Sequence, residues 1–211
     1  MKKQKKKSNF IYDFIRITGF LPCWIWLRPK IIRENKNVPK RIKGGVLIAS
    51  NHVTYVDPII LHCAFIYRRL YSIATKDICK TKLRRFLFTT ANCIIIDKEK
   101  FALESLRTIC DMLKQEKAVV IFPESSINSS GGVQNYKSGF ILMSALSKKP
   151  ILPVCIIKGK RKLSRIKVVI GEPIDISKTY GDRLTPEQME EIAKILSEKE
   201  KQLLEKYKGE N

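Results

Sequence analysis

Five short, largely apolar runs constrain the fold of this 211-residue chain more than any other feature. They occupy residues 46–49, 93–96, 119–122, 151–157 and 166–170. Runs of this length between polar segments predict buried strands. Helices are predicted from the apolar or amphipathic stretches at residues 59–70, 98–116, 138–147 and 185–207. This alternation predicts a single α/β domain over residues 44–211, with a mostly parallel central sheet flanked by helices.

The loop at residues 51–56 is the expected position of a functional site. It follows the run at 46–49 directly, and ligands bind at the carboxyl ends of the strands in sheets of this type. Pro58 marks the start of the next helix, because proline is favoured in the first turn. Asp57 is therefore expected to be the N-cap of that helix.

The formal net charge of +21, from 41 basic and 20 acidic residues, indicates a polyanionic partner. Residues 1–43 contain 13 Lys or Arg and only Asp13 and Glu34 as acids. This fifth of the chain therefore carries about half of the excess. Charge alone is compatible with either an anionic membrane surface or a nucleic acid.

The basic segment at residues 1–43 also contains many apolar and aromatic side chains. Five lysines within residues 2–7 precede Phe10 and Phe14, and Trp24 and Trp26 follow. This composition predicts an amphipathic helical anchor that lies on an anionic lipid surface. A spanning helix is not expected, because the longest apolar stretch, residues 17–27, is about half of the roughly twenty residues required. The alternative is a helical hairpin that simply packs on the domain.

The cellular location that these features favour is the cytoplasmic face of the cell membrane, with the protein peripheral or monotopic. No cleavable signal peptide is recognisable at the N-terminus. The six cysteines are scattered without a Cys-x-x-Cys pair, which is consistent with a reducing compartment and argues against a structural zinc site.

His52 is the better of two candidates for a general base. The chain has only two histidines, and His62 lies within an apolar stretch, where a histidine is more often a buried structural residue. His52 lies in the loop after the first run, five residues before Asp57. A carboxylate beside an imidazole fixes its tautomer and stabilises the imidazolium that forms on proton abstraction. Spacing alone leaves open the alternative that Asp57 only caps its helix.

The residues around this pair resemble the lysophosphatidic acid acyltransferase family. Residues 51–58 read Asn-His-Val-Thr-Tyr-Val-Asp-Pro, which is similar to its first motif, Asn-His-x-Ser/Thr-x-x-Asp-Pro. Residues 122–126, Phe-Pro-Glu-Ser-Ser, resemble its Phe-Pro-Glu-Gly-Thr-Arg block. Residues 76–77, 95–98, 137–139 and 152–154 are similar to further blocks in the same order, so the resemblance covers about residues 42–174.

This resemblance implies roles for eight residues. His52 would be the catalytic base and Asp57 the residue that orients it. The resemblance assigns acceptor binding to six further residues: Lys76, Lys98, Glu124, Ser125, Ser126 and Lys137. One difference from the family pattern affects the expected binding of the acceptor phosphate. Ser125, Ser126 and Ile127 occupy the place where the family has Gly and then Arg, and lysine cannot replace the planar fork of an arginine.

The expected function is transfer of a fatty acyl group from acyl-CoA or acyl-carrier protein to a lysophospholipid, lysophosphatidic acid first among candidates. No nucleophilic serine or cysteine accompanies the pair, so the activated hydroxyl is expected to belong to the substrate. No metal or bound cofactor and no nucleic acid are expected. The alternatives are another lipid acceptor on the same fold, or a non-catalytic polybasic membrane- or nucleic-acid-binding protein, which would leave the motifs unexplained.

Overall fold

The computed structural model describes residues 9–75, 79, 81–96, 103–124, 127–128, 132–159, 165–181 and 183–208. Within these residues one seven-stranded sheet has the order β1-β7-β6-β2-β5-β3-β4. Its strands are Lys30–Arg33 (β1), Val46–Ser50 (β2), Leu70–Thr75 (β3), Ile94–Ile96 (β4), Ala118–Ile121 (β5), Ile151–Ile157 (β6) and Lys167–Ile170 (β7). Only the β6–β7 pair is antiparallel. The predicted α/β domain with a mostly parallel sheet is confirmed.

Helices cover both faces of this sheet. They are Asn9–Thr18 (α1), Phe20–Leu27 (α2), Asp57–Ala64 (α3), Lys82–Thr90 (α4), Leu103–Lys114 (α5), Gly139–Ser147 (α6), Ile176–Tyr180 (α7) and Pro186–Lys208 (α8). Alternate residues of the fully buried β2 point to opposite faces, because side chains along a strand alternate. Val46 and Ile48 pack in the cluster that contains α3, whereas Leu47 and Ala49 pack with α5, α6 and α8.

The N-terminal residues contribute both to the sheet and to its helical cover. β1 pairs in parallel with β7 at the sheet edge, so the sheet includes residues on the N-terminal side of the predicted boundary at residue 43. α1 is tied to the domain by a 3.0 Å contact between the Tyr12 hydroxyl and His62 Nδ1, and by an ion pair between Asp13 and Arg69. Of the helices described, none is both long and apolar enough to cross a bilayer.

Several element boundaries differ from the sequence-based predictions. The helix predicted over 59–70 ends at Ala64, and Leu70 already begins β3. Both segments are apolar and buried, so hydrophobicity alone did not separate them. β1, β3, α4 and α7 were not predicted. A capping box precedes α8, because the Thr185 and Gln188 side chains each accept a hydrogen bond from the backbone N–H of the other residue.

Candidate active site

The loop that carries His52 begins at the carboxyl end of β2, as predicted. Its first residue, Asn51, is fully buried and binds the neighbouring strand β6 through its side-chain amide. Asn51 Nδ2 donates to the Ile156 carbonyl at 3.0 Å, and Asn51 Oδ1 accepts from the Ile156 N–H at 2.7 Å. This pair of hydrogen bonds fixes the backbone immediately before the histidine.

Asp57 is the central acceptor of this loop. Its carboxylate is fully buried, and Oδ2 accepts from Val53 N at 2.6 Å, from Thr54 N at 2.7 Å and from His52 Nδ1 at 2.9 Å. Oδ1 accepts from the Thr54 hydroxyl at 2.6 Å. The expectation that Asp57 is the N-cap is wrong: Val56 has that position, and the Asp57 carboxylate turns back into the loop instead of toward the helix.

The contacts of His52 would leave one ring nitrogen available to accept a proton. An ionised carboxylate is only an acceptor, so Nδ1 carries the proton that it donates to Asp57, and Nε2 keeps its lone pair. The imidazole stacks on Phe122, with ring centroids 4.2 Å apart and planes 21° from parallel. Among the described residues Nε2 has no hydrogen-bond partner, and the side chain retains 20% exposure. The basic nitrogen is therefore not engaged by any described residue of the protein.

Glu124 lies behind the histidine loop and is buried. Oε2 accepts from the His52 N–H at 3.3 Å and Oε1 accepts from the Gln134 N–H at 3.0 Å. The carboxylate thus links the loop after β2 to the segment before α6. Burial raises the pKa of Glu124, and the two backbone hydrogen bonds and His52 oppose that shift. Its predicted part in acceptor binding has to coexist with these two backbone contacts.

Of the other residues predicted to bind the acceptor, Lys137 is described. Its side chain is exposed, and its backbone N–H donates to the Pro123 carbonyl at 3.2 Å, beside Glu124. Lys76, Lys98, Ser125 and Ser126 lie outside the described residues. Within the part of the chain that the structure describes, no group of three His, Cys, Asp or Glu side chains is placed to hold a metal ion.

Sequence reasoning did not assign roles to several residues that build this site. Thr54 and Asn51 were visible in the first motif, and their polar side chains could have suggested contacts within the loop. Phe122 precedes the Pro-Glu pair, but nothing in the sequence indicates that its ring stacks on His52. Glu200 of α8 is also fully buried near the loop, although its sequence neighbourhood reads as a solvated helix face.

Comparison with known proteins decides the family. A family model described as "Acyltransferase" matches residues 30–157, which is more than half of the chain and includes both His52 and Asp57. The chain belongs to the acyltransferase family. The matched region begins at Lys30, the first residue of β1, in agreement with the place of that strand in the sheet.

Curated relatives place this family member near the lysophosphatidic acid acyltransferases, as the motifs indicated. The chain is 26% identical over 148 residues to the 1-acyl-sn-glycerol-3-phosphate acyltransferase of Bacillus subtilis, covering 68% of this chain and 72% of that protein. It is 26% identical over 178 residues to the protein of the same name from Cocos nucifera, covering 83% of this chain and 56% of that protein. The chain thus spans between about half and three quarters of these relatives.

A solved structure has the same fold. The crystal structure of the 1-acyl-sn-glycerophosphate (LPA) acyltransferase PlsC from Thermotoga maritima superimposes with a TM-score of 0.68 at 21% identity. The match covers 100% of this chain and 85% of that one. The α/β architecture of this acyltransferase, with its mostly parallel sheet, is therefore the architecture of that enzyme.

Proposed function

We propose that this chain transfers a fatty acyl group from acyl-CoA or acyl-carrier protein to the free hydroxyl of lysophosphatidic acid, giving phosphatidic acid. The observation that carries the proposal is the His52–Asp57 pair, in which Nδ1 contacts Asp57 Oδ2 at 2.9 Å while Nε2 has no hydrogen-bond partner among the described residues. Membership of the acyltransferase family supports the reaction class. The names of the curated relatives support the acceptor.

The chemistry follows from the position of the open nitrogen. His52 Nε2 takes the proton of the acceptor hydroxyl as its oxygen attacks the thioester carbonyl carbon. The carbon–oxygen bond forms, the carbon–sulfur bond breaks, and the imidazolium returns the proton to the departing thiolate. Asp57 stays ionised and stabilises the imidazolium in between, because a buried carboxylate interacts strongly with a neighbouring cation. No acyl-enzyme is needed.

The acceptor phosphate requires cationic partners near the same edge of the sheet. Lys137 is the described candidate, since its backbone is bonded to the Pro123 carbonyl and its side chain is exposed. Lys76 and Lys98 and the hydroxyls of Ser125 and Ser126 are further candidates from the motifs. A lysine contributes a point charge where an arginine would give a bidentate clamp. We therefore expect weaker discrimination in favour of a phosphate monoester than an arginine would give.

The site is proposed to work against an anionic membrane surface on the cytoplasmic side. Large apolar side chains are exposed on α1 and α2, among them Phe14, Ile17, Trp24 and Trp26, the last at 80%. Tyr55, in the catalytic loop itself, is 84% exposed. Because α2 packs against α3, which begins at Asp57, an interface that binds these side chains also lies close to His52.

The activity test incubates the purified protein with an acyl thioester and a panel of lysolipids, and measures the acylated lipid by mass spectrometry. A product readout is preferable to thiol detection, because partly exposed free cysteines of the protein, Cys23 and Cys93, can react with thiol reagents. We expect acylation of lysophosphatidic acid, and loss of it in His52→Ala. Acylation of a different lysolipid alone would change the acceptor, and an active His52→Ala would refute the mechanism.

The membrane test measures sedimentation with vesicles that contain phosphatidylglycerol, compared with vesicles of phosphatidylcholine only. Trp26→Ser is expected to reduce binding to the anionic vesicles. Ile195→Ser is the matched control, because Ile195 is an exposed apolar residue on the remote helix α8. Equal losses in both variants, or equal binding to both kinds of vesicle, would contradict the proposed interface.

A further inference from the structure

Glu200 is a buried acid that the proposed mechanism does not use. It lies on α8, more than a hundred residues after His52 in the sequence, and its residue surface is 0% exposed. Its neighbours in sequence behave differently: Lys201 pairs with Glu198 at the surface, and Lys199 pairs with Glu34. A charged residue that is buried without a partner is costly, so Glu200 requires an explanation.

The groups around Glu200 belong to the active-site framework. The Tyr136 hydroxyl, from the segment before α6, faces the carboxyl group, and the Asn51 N–H, directly before His52, points toward it. Glu124 and Cys155 are further titratable neighbours among the described residues. No cation is among these groups. Neither Glu200 oxygen nor the Tyr136 hydroxyl makes a hydrogen bond of ordinary geometry within the described residues.

Burial, with no cation among the described neighbours, favours the uncharged form of Glu200. Burial raises the pKa of Glu200 well above its usual value, and Glu124 reinforces the shift, while the contacts with Tyr136 and Asn51 only partly oppose it. A neutral carboxylic acid has both an acceptor oxygen and an O–H donor. It can accept from a backbone N–H and still interact with a phenol, which a hydrophobic side chain of the same size cannot do.

We propose that Glu200 is a positioning residue that acts through the Asn51 backbone to hold His52 in its reactive place. The Asn51 side chain already fixes this point to β6, and the buried carboxyl group of Glu200 brings α8 next to the same point. Tyr136 extends the contact to the segment that ends at Lys137. The C-terminal helix thereby joins the loop of the catalytic base to the loop of the proposed acceptor site.

This inference rests on the proposed function where activity is concerned, so its test includes a readout that needs no turnover. The chain has only two histidines, and their ring nitrogens can be followed by NMR in the full-length protein. The variants are Glu200→Gln, which keeps a neutral hydrogen-bonding group, Glu200→Met, which keeps the size alone, and Tyr136→Phe. Glu198→Gln, an exposed glutamate on the same helix, is the matched control.

We expect Glu200→Gln and Glu198→Gln to retain kcat within about twofold and to leave the His52 ring signals in place. Glu200→Met is expected to lower kcat at least tenfold with little change in KM, and to shift the His52 ring signals while those of His62 stay in place. Should Glu200→Met fail to fold, Tyr136→Phe is expected to move the same His52 signals to a smaller extent. A folded Glu200→Met with the kcat and His52 spectrum of the wild type would overturn the proposal.

Two further outcomes separate the possible failures. If Glu200→Gln loses as much kcat as Glu200→Met, a charged carboxylate is required and the uncharged-acid assignment is wrong. If the wild type has no transferase activity, the proposed function fails, but the His52 ring signals of the four variants still decide whether Glu200 positions the histidine.

Discussion

Replacing Asp57 with alanine is expected to destabilise the fold as well as abolish catalysis. The carboxylate accepts four hydrogen bonds, of which two come from the backbone N–H groups of Val53 and Thr54. An alanine leaves both donors without an acceptor. An unsatisfied buried donor costs about 1–3 kcal/mol. Val53 is buried, whereas Thr54 is half-buried and its N–H can bind water instead. The cost for the Thr54 N–H is therefore expected at the lower end of that range.

Adding the lost hydroxyl hydrogen bond of Thr54, at about 1 kcal/mol, gives an expected loss of about 3–5 kcal/mol in the free energy of unfolding. Thr54→Val is the matched variant, because it removes only the hydroxyl and keeps the branched shape. It is expected to cost about 1–2 kcal/mol, since the acceptor of this bond is charged. Domains of this kind are stable by only about 5–15 kcal/mol, so the difference between the two variants is easily measured.

Urea unfolding followed by circular dichroism gives both values from the shift of the transition midpoint. Activity is measured in parallel: Asp57→Ala is expected to lower kcat by about 10³–10⁴, because His52 loses the group that sets its tautomer. A loss of stability below about 1 kcal/mol in Asp57→Ala, or one no larger than in Thr54→Val, would refute the argument that this carboxylate organises the loop backbone.

Three further predictions concern His62, Glu200 and Phe122. Burial lowers the pKa of His62 to about 4, so between pH 6.5 and 4 the unfolded chain binds a proton that the folded protein does not bind. The free energy of unfolding is therefore expected to fall by about 3 kcal/mol as the pH drops from 6.5 to 4. Urea titrations of His62→Gln should show a smaller decline. Glu200 is expected to have the opposite effect on the pH dependence of stability, because its raised pKa means that the folded state keeps the proton. Above pH 4.5 the stability of the wild type should decrease with rising pH relative to Glu200→Gln, by at most about 1.4 kcal/mol per pH unit. Thermal melts of both proteins at several pH values measure the difference. Phe122→Leu keeps most of the volume but removes the stack on His52, so we expect a loss of stability below about 1.5 kcal/mol and a kcat about tenfold lower in steady-state assays.

The sequence predicted the central strands because each is a short apolar run that is buried on both faces. β2, β5 and β6 lie in the middle of the sheet and required no other signal. β1 lies at an edge, and its four residues begin with Lys30 and end with Arg33, so no apolar run marks it. β3 follows α3 after a few residues, and both are apolar, so their boundary depends on packing and not on hydrophobicity.

The contacts of the candidate site could be predicted where both partners lie close together in the sequence. His52 and Asp57 are five residues apart, and their pairing follows from one loop. Glu200 interacts with residues far from it along the chain, and its segment, Glu-Lys-Glu-Lys at 198–201, has the composition of a solvated helix. Its burial results from the way α8 crosses β6, which no pattern near residue 200 encodes.

The described side-chain contacts on His52 do not involve the residues proposed to recognise the acceptor phosphate. Its ring, its N–H and its loop are held by Phe122, Glu124 and Asp57, all of which lie at the carboxyl edge of the sheet. Such preorganisation fixes the reacting nitrogen independently of which alcohol approaches. The phosphate-recognition residues, by contrast, are assigned to the segments around Ser125 and Lys137. Exchanges there, such as Ser126→Arg, are therefore expected to change the KM for phosphate-bearing acceptors relative to neutral lysolipids while kcat changes little, and a parallel loss of kcat for all acceptors would show that the two parts are not separable.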